Sequence, residues 1–126
     1  MSSFTLISFL ALAAAAGAVS RYFLGQFFTK FIQNAYWGTF FINVLGSLLL
    51  VVALVFMKKN TLTPDQYKII GTGFLGAFTT YSLFNLELIN IFEAGDYKAF
   101  FLYFLASFGV IFFVSLMAFR FLKSVV

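Results

Sequence analysis

The 126-residue chain contains no cysteine and no histidine. Without thiols there is no disulfide, no zinc–thiolate cluster and no cysteine nucleophile, and the redox compartment is not encoded. Without imidazole, the commonest metal ligand and general base is missing too. Charge is scarce: charged residues make up 10% of the chain, against about 25% in an ordinary soluble domain. What fills the chain instead is apolar, with 63% hydrophobic and 22% aromatic residues and a mean hydropathy of +1.02. Such a composition does not cover a water-facing surface, so a soluble globular enzyme is excluded, as is a disordered or fibrous chain. The net charge of +4 is scattered along the chain, which does not make a nucleic-acid surface. The basic residues read as anchors at membrane flanks.

A transmembrane helix needs ~20 apolar residues, and four stretches supply them, at about 4–24, 36–57, 67–92 and 99–122. Together they make one four-helix transmembrane domain over 1–126, with no room for a soluble one. Short connections imply helices antiparallel to their sequence neighbours. The alanine-rich run Leu10–Ala18 has the look of a signal-peptide core, but no Lys or Arg precedes it, so it is read as part of helix one. Arg21 stands at the end of that helix. The face holding both termini and the middle loop carries Lys58, Lys59, Lys68, Arg120 and Lys123, and the opposite face carries Arg21, Lys30 and Lys98. This bias leans towards cytoplasmic termini but permits insertion in both directions.

Polar residues at membrane depth carry the functional information, because lipid offers them no partner. Helix two holds Thr39, Asn43, Gly46 and Ser47 on one face. That face serves as a small-residue packing seam, and the Asn43 amide can also donate to an anion. In helix three, residues 71–82 bring three glycines, four hydroxyls and Tyr81 to mid-membrane. Gly71 to Gly76 spells a dinucleotide fingerprint, which is void here because no strand precedes it. Glycines and β-branched threonines weaken a helix. The pattern predicts either a tight glycine seam or a break near residues 76–80, close to the bilayer midplane, whose free carbonyls could hold a cation. Tyr81 and Phe84 share a face, and Glu87 lies towards a mouth or interface. Helix four adds Tyr103 and Ser107 one turn apart. Donors dominate this set and acidic groups are nearly absent, which suits an anion better than a cation.

Three pieces of the chain together resemble the Fluc (CrcB-type) fluoride channels: Gly17-x-x-x-Arg21-Tyr22, Trp37-Gly38-Thr39-x-x-x-Asn43-x-x-Gly46, and Gly73 to Ser82 followed by Phe84 and Glu87. They come in the family's order and spacing and cover essentially the whole chain. The resemblance implies an all-α membrane protein that assembles as an antiparallel, dual-topology homodimer with two fluoride pores at the subunit interface. It implies a structural sodium ion held by backbone carbonyls at the break in helix three, here Gly76 and Thr79. It assigns the pore aromatics to Tyr81 and Phe84 and the pore asparagine to Asn43. Thr39, Ser82, Tyr103 and Ser107 fall along the polar track, with Arg21 and Glu87 as the charged vestibule residues. The implied location is a prokaryotic plasma or inner membrane.

Two positions depart from the family pattern. Tyr81 stands where phenylalanine is usual, and Leu83 where a hydroxyl is usual. A subunit of a heterodimer with one decayed pore is therefore a second reading. The first remains a passive channel that exports fluoride. A proton-coupled multidrug exporter of the small four-helix type requires a carboxylate in helix one, which this chain lacks. A non-conducting membrane scaffold would tolerate loss of the mid-membrane polar groups, and a channel would not.

Overall fold

The computed structural model describes residues 1–32 and 35–125, and every element among them is helical. Four helical spans are long and apolar enough to cross a bilayer: Ser3–Ile32, Tyr36–Lys58, Pro64–Glu93 and Tyr97–Val125. We label the helices α1 (Ser3–Ile32), α2 (Ala35–Lys58), α3 (64–78), α4 (Tyr81–Glu93) and α5 (Tyr97–Val125). Large apolar side chains along α1 and α5, such as Phe4, Leu12, Phe23, Phe112, Phe113 and Met117, are exposed. In water that would be untenable, and in a bilayer it is the expected outer surface. The chain is a multi-pass membrane protein.

Local chemistry sets the ends. Asn60 leaves α2 with φ 59°, a left-handed conformation that asparagine tolerates. Thr63 then caps α3. Its hydroxyl accepts from the Gln66 N–H at 3.2 Å, and the Thr63 N–H donates to Gln66 Oε1 at 2.9 Å. Pro64 occupies the first turn, where its missing N–H costs nothing. Between α4 and α5, Gly95 takes φ 75°, and Asp96 accepts from the Ala99 N–H at 3.0 Å.

Helix one differs from its sequence reading. It continues past residue 24 to Ile32, because neither Gly25 nor the polar Gln26 interrupts backbone hydrogen bonding within a helix. Arg21 therefore sits inside α1, about three turns before its end, and does not close it. Two stretches widen into π-turns, Ile69–Leu75 in α3 and Ala106–Val110 in α5.

Glycine governs how α1, α2 and α3 meet. A Cβ on Gly17 would strike the Phe74 carbonyl oxygen, and one on Gly73 would lie 2.9 Å from Ala13 Cβ. These approaches press α3 against α1. On the other side, Phe40, Phe84, Leu88 and Tyr103 form the buried core that joins α2, α4 and α5.

Candidate functional site

Within the third span the backbone leaves helical dihedrals at two residues. After Phe78 the backbone turns extended at Thr79 (φ −80°, ψ 159°) and Thr80 (φ −149°, ψ 118°), and α4 starts at Tyr81. Both are β-branched residues that favour extended backbone. Asn43 of α2 engages the interruption with both ends of its amide. The Thr80 N–H donates to Asn43 Oδ1 at 2.8 Å, and Asn43 Nδ2 donates to the Thr80 carbonyl at 3.1 Å. Thr80 then caps α4, its hydroxyl accepting from the Leu83 N–H at 3.1 Å. Gly46, one turn beyond Asn43 on α2, leaves the space that Thr79 occupies, since a Cβ there would strike Thr79 Cγ2.

Two clefts open from this point. One, of about 210 Å³, is lined by Asn43, Ser47, Tyr81, Phe84, Ser107 and Phe108 around Thr79 and Thr80. The Ser107 hydroxyl is buried with no hydrogen-bond partner among the described residues. It belongs to the π-turn of α5, a feature frequent at functional sites. Tyr81 is largely exposed in the subunit while Phe84 is buried, and their ring centroids lie 5.9 Å apart.

The second cleft, of about 590 Å³, lies between α1 on one side and α2 and α4 on the other. Arg21, Gln26 and Thr29 form its α1 wall, facing Thr39, Ser82 and Glu87. The α1 residues fall on one stripe, so extension of the helix to Ile32 builds this wall. Thr80 lines both clefts. Ion pairs among the described residues are confined to Asp65, with Lys68 and the amino terminus, so Arg21 faces its cleft as an unpaired cation.

Glu87 is held from two sides. The Thr39 hydroxyl donates to Oε1 at 2.7 Å and the Tyr103 hydroxyl to Oε2 at 2.6 Å. Tyr103 is 1% exposed, so this contact ties α5 to α4 inside the aromatic core. A hydrogen bond to a charged group contributes about 1.5–3 kcal/mol. Tyr103→Phe should lower stability by about that amount, read as a fall in melting temperature of the detergent-solubilised protein.

The sequence-derived residues thus divide between the two clefts. Asn43, Tyr81, Phe84, Thr79 and Ser107 line the first; Arg21, Thr39, Ser82 and Glu87 line the second, with Tyr103 behind Glu87. Gly76 is exposed on the outer side of α3, where a Cβ would meet nothing nearer than Gly71 O at 3.4 Å. Sequence reasoning missed Thr80, the shared residue. Its signal was a hydroxyl three residues before Leu83, the spacing of a helix cap. It also missed Ser47 as a lining residue and Gln26 and Thr29 on α1. Among the described residues no cluster of acidic, His or Cys side chains could hold a metal ion. Backbone carbonyls remain as the candidate cation ligands. Among the described residues the arrangement offers neutral donors, one held carboxylate and one unpaired cation.

Comparison with known proteins identifies the family and its relatives. Residues 8–119 match the family described as CrcB-like protein, Camphor Resistance (CrcB). A Photobacterium profundum protein named fluoride-specific ion channel FluC is 35% identical over 99 residues, covering 77% of this chain and 78% of that protein. Its namesake in Rhizobium etli is 38% identical over 103 residues, covering 80% and 82%. A third, from Magnetococcus marinus, is 35% identical over 94 residues, covering 73% and 76%.

Proposed function

The chain belongs to the CrcB-like family, and from that premise we propose that it is a fluoride channel, not an enzyme, and that it lets fluoride leave the cell down its gradient. The observation that carries this reading is the pair of donor-lined clefts that share Thr80. Fluoride is small and strongly hydrated, so its water shell must be replaced by donors spaced closely enough to hand the ion onward. Weak, multiple sites let it leave as well as arrive. The Asn43 amide keeps one N–H beyond the one that Thr80 accepts. Ser107 Oγ has an uncommitted proton, and the rings of Tyr81 and Phe84 offer positive edges. Arg21 raises anion concentration in the wider cleft. Glu87 lines the wider cleft with its two oxygens engaged by the Thr39 and Tyr103 hydroxyls.

Both clefts are open on the subunit's own surface, and four helices are too few to enclose a pore. A second copy closes them in this reading, inserted antiparallel so that Gly76 and Thr79 of the two subunits meet near the bilayer midplane. The residues fit a monovalent cation there. The Gly76 and Thr79 carbonyls lie where the helix is interrupted, and unmet carbonyls in hydrocarbon cost several kcal/mol each. Neutral carbonyl ligands suit sodium better than a divalent ion. Bound sodium would supply fixed positive charge between the pores. The multidrug-exporter reading gains nothing from the structure, since the carboxylate at the clefts, Glu87, lies in α4 and is already held.

Expression in a fluoride-sensitive bacterium tests the function: growth in fluoride should be rescued, and failure of a well-expressed protein to rescue would count against it. Topology is tested separately. A C-terminal reporter should appear on both sides of the membrane, and two lysines added to either face should shift the population and reduce activity. One fixed orientation with full activity would rule out the antiparallel homodimer.

A further inference from the structure

We infer that Asn43 is the residue that keeps the third span interrupted, and that it thereby leaves the Gly76 and Thr79 carbonyls available to a cation. The clamp stands on the geometry of this chain alone; the identity of the cation rests on the reading above. In an unbroken helix each N–H bonds the carbonyl four residues back. The Thr80 N–H would then belong to Gly76 and the Leu83 N–H to Thr79. Neither donor is available here. The Thr80 N–H goes to Asn43 Oδ1 at 2.8 Å, and the Leu83 N–H goes to the Thr80 hydroxyl at 3.1 Å. The two carbonyls that lose their helical donors are the two assigned to the cation, and the losses have a common origin in how Thr80 is held.

The side chain required is narrowly defined. It must accept from the Thr80 N–H, and a side chain that also donates to the Thr80 carbonyl adds a second, reinforcing bond. A carboxamide does both; aspartate accepts only, and leucine does neither. The backbone must also come close, and Gly46 permits it: a Cβ there would strike Thr79 Cγ2. Asn43 and Gly46 are three residues apart and share a face of α2. One side of α2 therefore makes room for the interruption and grips it. Gly76 is exposed, so a second subunit could approach the backbone of α3 there. Asn43 is on this account a positioning residue for the cation site, besides lining the narrower cleft.

The test uses the full chain in detergent, with sodium or N-methyl-D-glucamine as the cation. In the unaltered protein, carbon chemical shifts of Thr79 and Thr80 should report extended backbone, and the melting temperature should be higher in sodium. Asn43→Leu, similar in volume, should move the Thr80 shifts to helical values and abolish the sodium-dependent rise. Asn43→Asp still accepts from the Thr80 N–H and should keep both. Thr80→Val covers the case in which Asn43→Leu fails to fold. It returns the Leu83 N–H to the Thr79 carbonyl and should weaken the sodium response with Asn43 intact. Extended shifts and a full sodium response in Asn43→Leu would overturn the inference, as would an unaltered response in Thr80→Val. An unaltered protein indifferent to sodium would sink the cation in both readings, and the carbon shifts would then decide the clamp by themselves.

Discussion

Asn43→Asp should cut fluoride efflux by about a thousandfold while the protein still folds and dimerises. The carboxylate keeps the hydrogen bond from the Thr80 N–H and loses the one to the Thr80 carbonyl, so the interruption in the third span persists. What changes is the charge beside the path. Two like unit charges ~4 Å apart repel by about 4 kcal/mol at an effective dielectric constant of ~20, or roughly three decades in rate. A fluoride electrode on liposomes reads the efflux, and cross-linking reads the dimer. Normal efflux in this variant would remove Asn43 from the anion's path.

Gly76→Val should be tolerated by the subunit and ruinous to the assembly. Within the subunit a Cβ at Gly76 meets only Gly71 O, at 3.4 Å, an ordinary contact. The cost of a β-branched residue in a helix is below about 1 kcal/mol. At a two-fold axis where two Gly76 backbones converge, the added methyls overpack, at about 1–3 kcal/mol, which is roughly 5- to 150-fold in dimer affinity. Both pores should be lost together. Thr79→Val is the control, because it keeps the Cγ2 that fills the space at Gly46 and loses only a hydroxyl bond to the Leu75 carbonyl. Its efflux should stay close to normal. A Gly76→Val protein that dimerises and conducts normally would show that the axis lies elsewhere.

Much of this architecture was legible in the residues. Hydropathy alone located four helices, because the bilayer demands long apolar runs whatever their packing. The polar residues at depth were likewise legible, since lipid gives them no reason to be there unless they work. Other features depended on partners far away in the chain. Hydropathy stopped helix one at residue 24, whereas its backbone continues to Ile32 and brings Gln26 and Thr29 to the wider cleft. Glu87 looked like a lone acid near a mouth, yet its two oxygens meet hydroxyls 48 residues before it and 16 after it. Asn43 read as a donor facing an anion, and most of its amide is taken by Thr80, 37 residues on. The π-turns have no signature beyond nearby glycines. Periodicity reports which face of a helix is apolar, and these contacts are set by how the faces were brought together.

The most direct measurement is fluoride efflux from liposomes that hold this purified protein and nothing else, loaded with potassium fluoride and started with a potassium ionophore. The account predicts rapid release of fluoride, no comparable release of chloride from matched vesicles, and loss of the fluoride signal in Asn43→Asp. Vesicles that keep their fluoride while the protein is folded and dimeric, or that release chloride as readily, would contradict it.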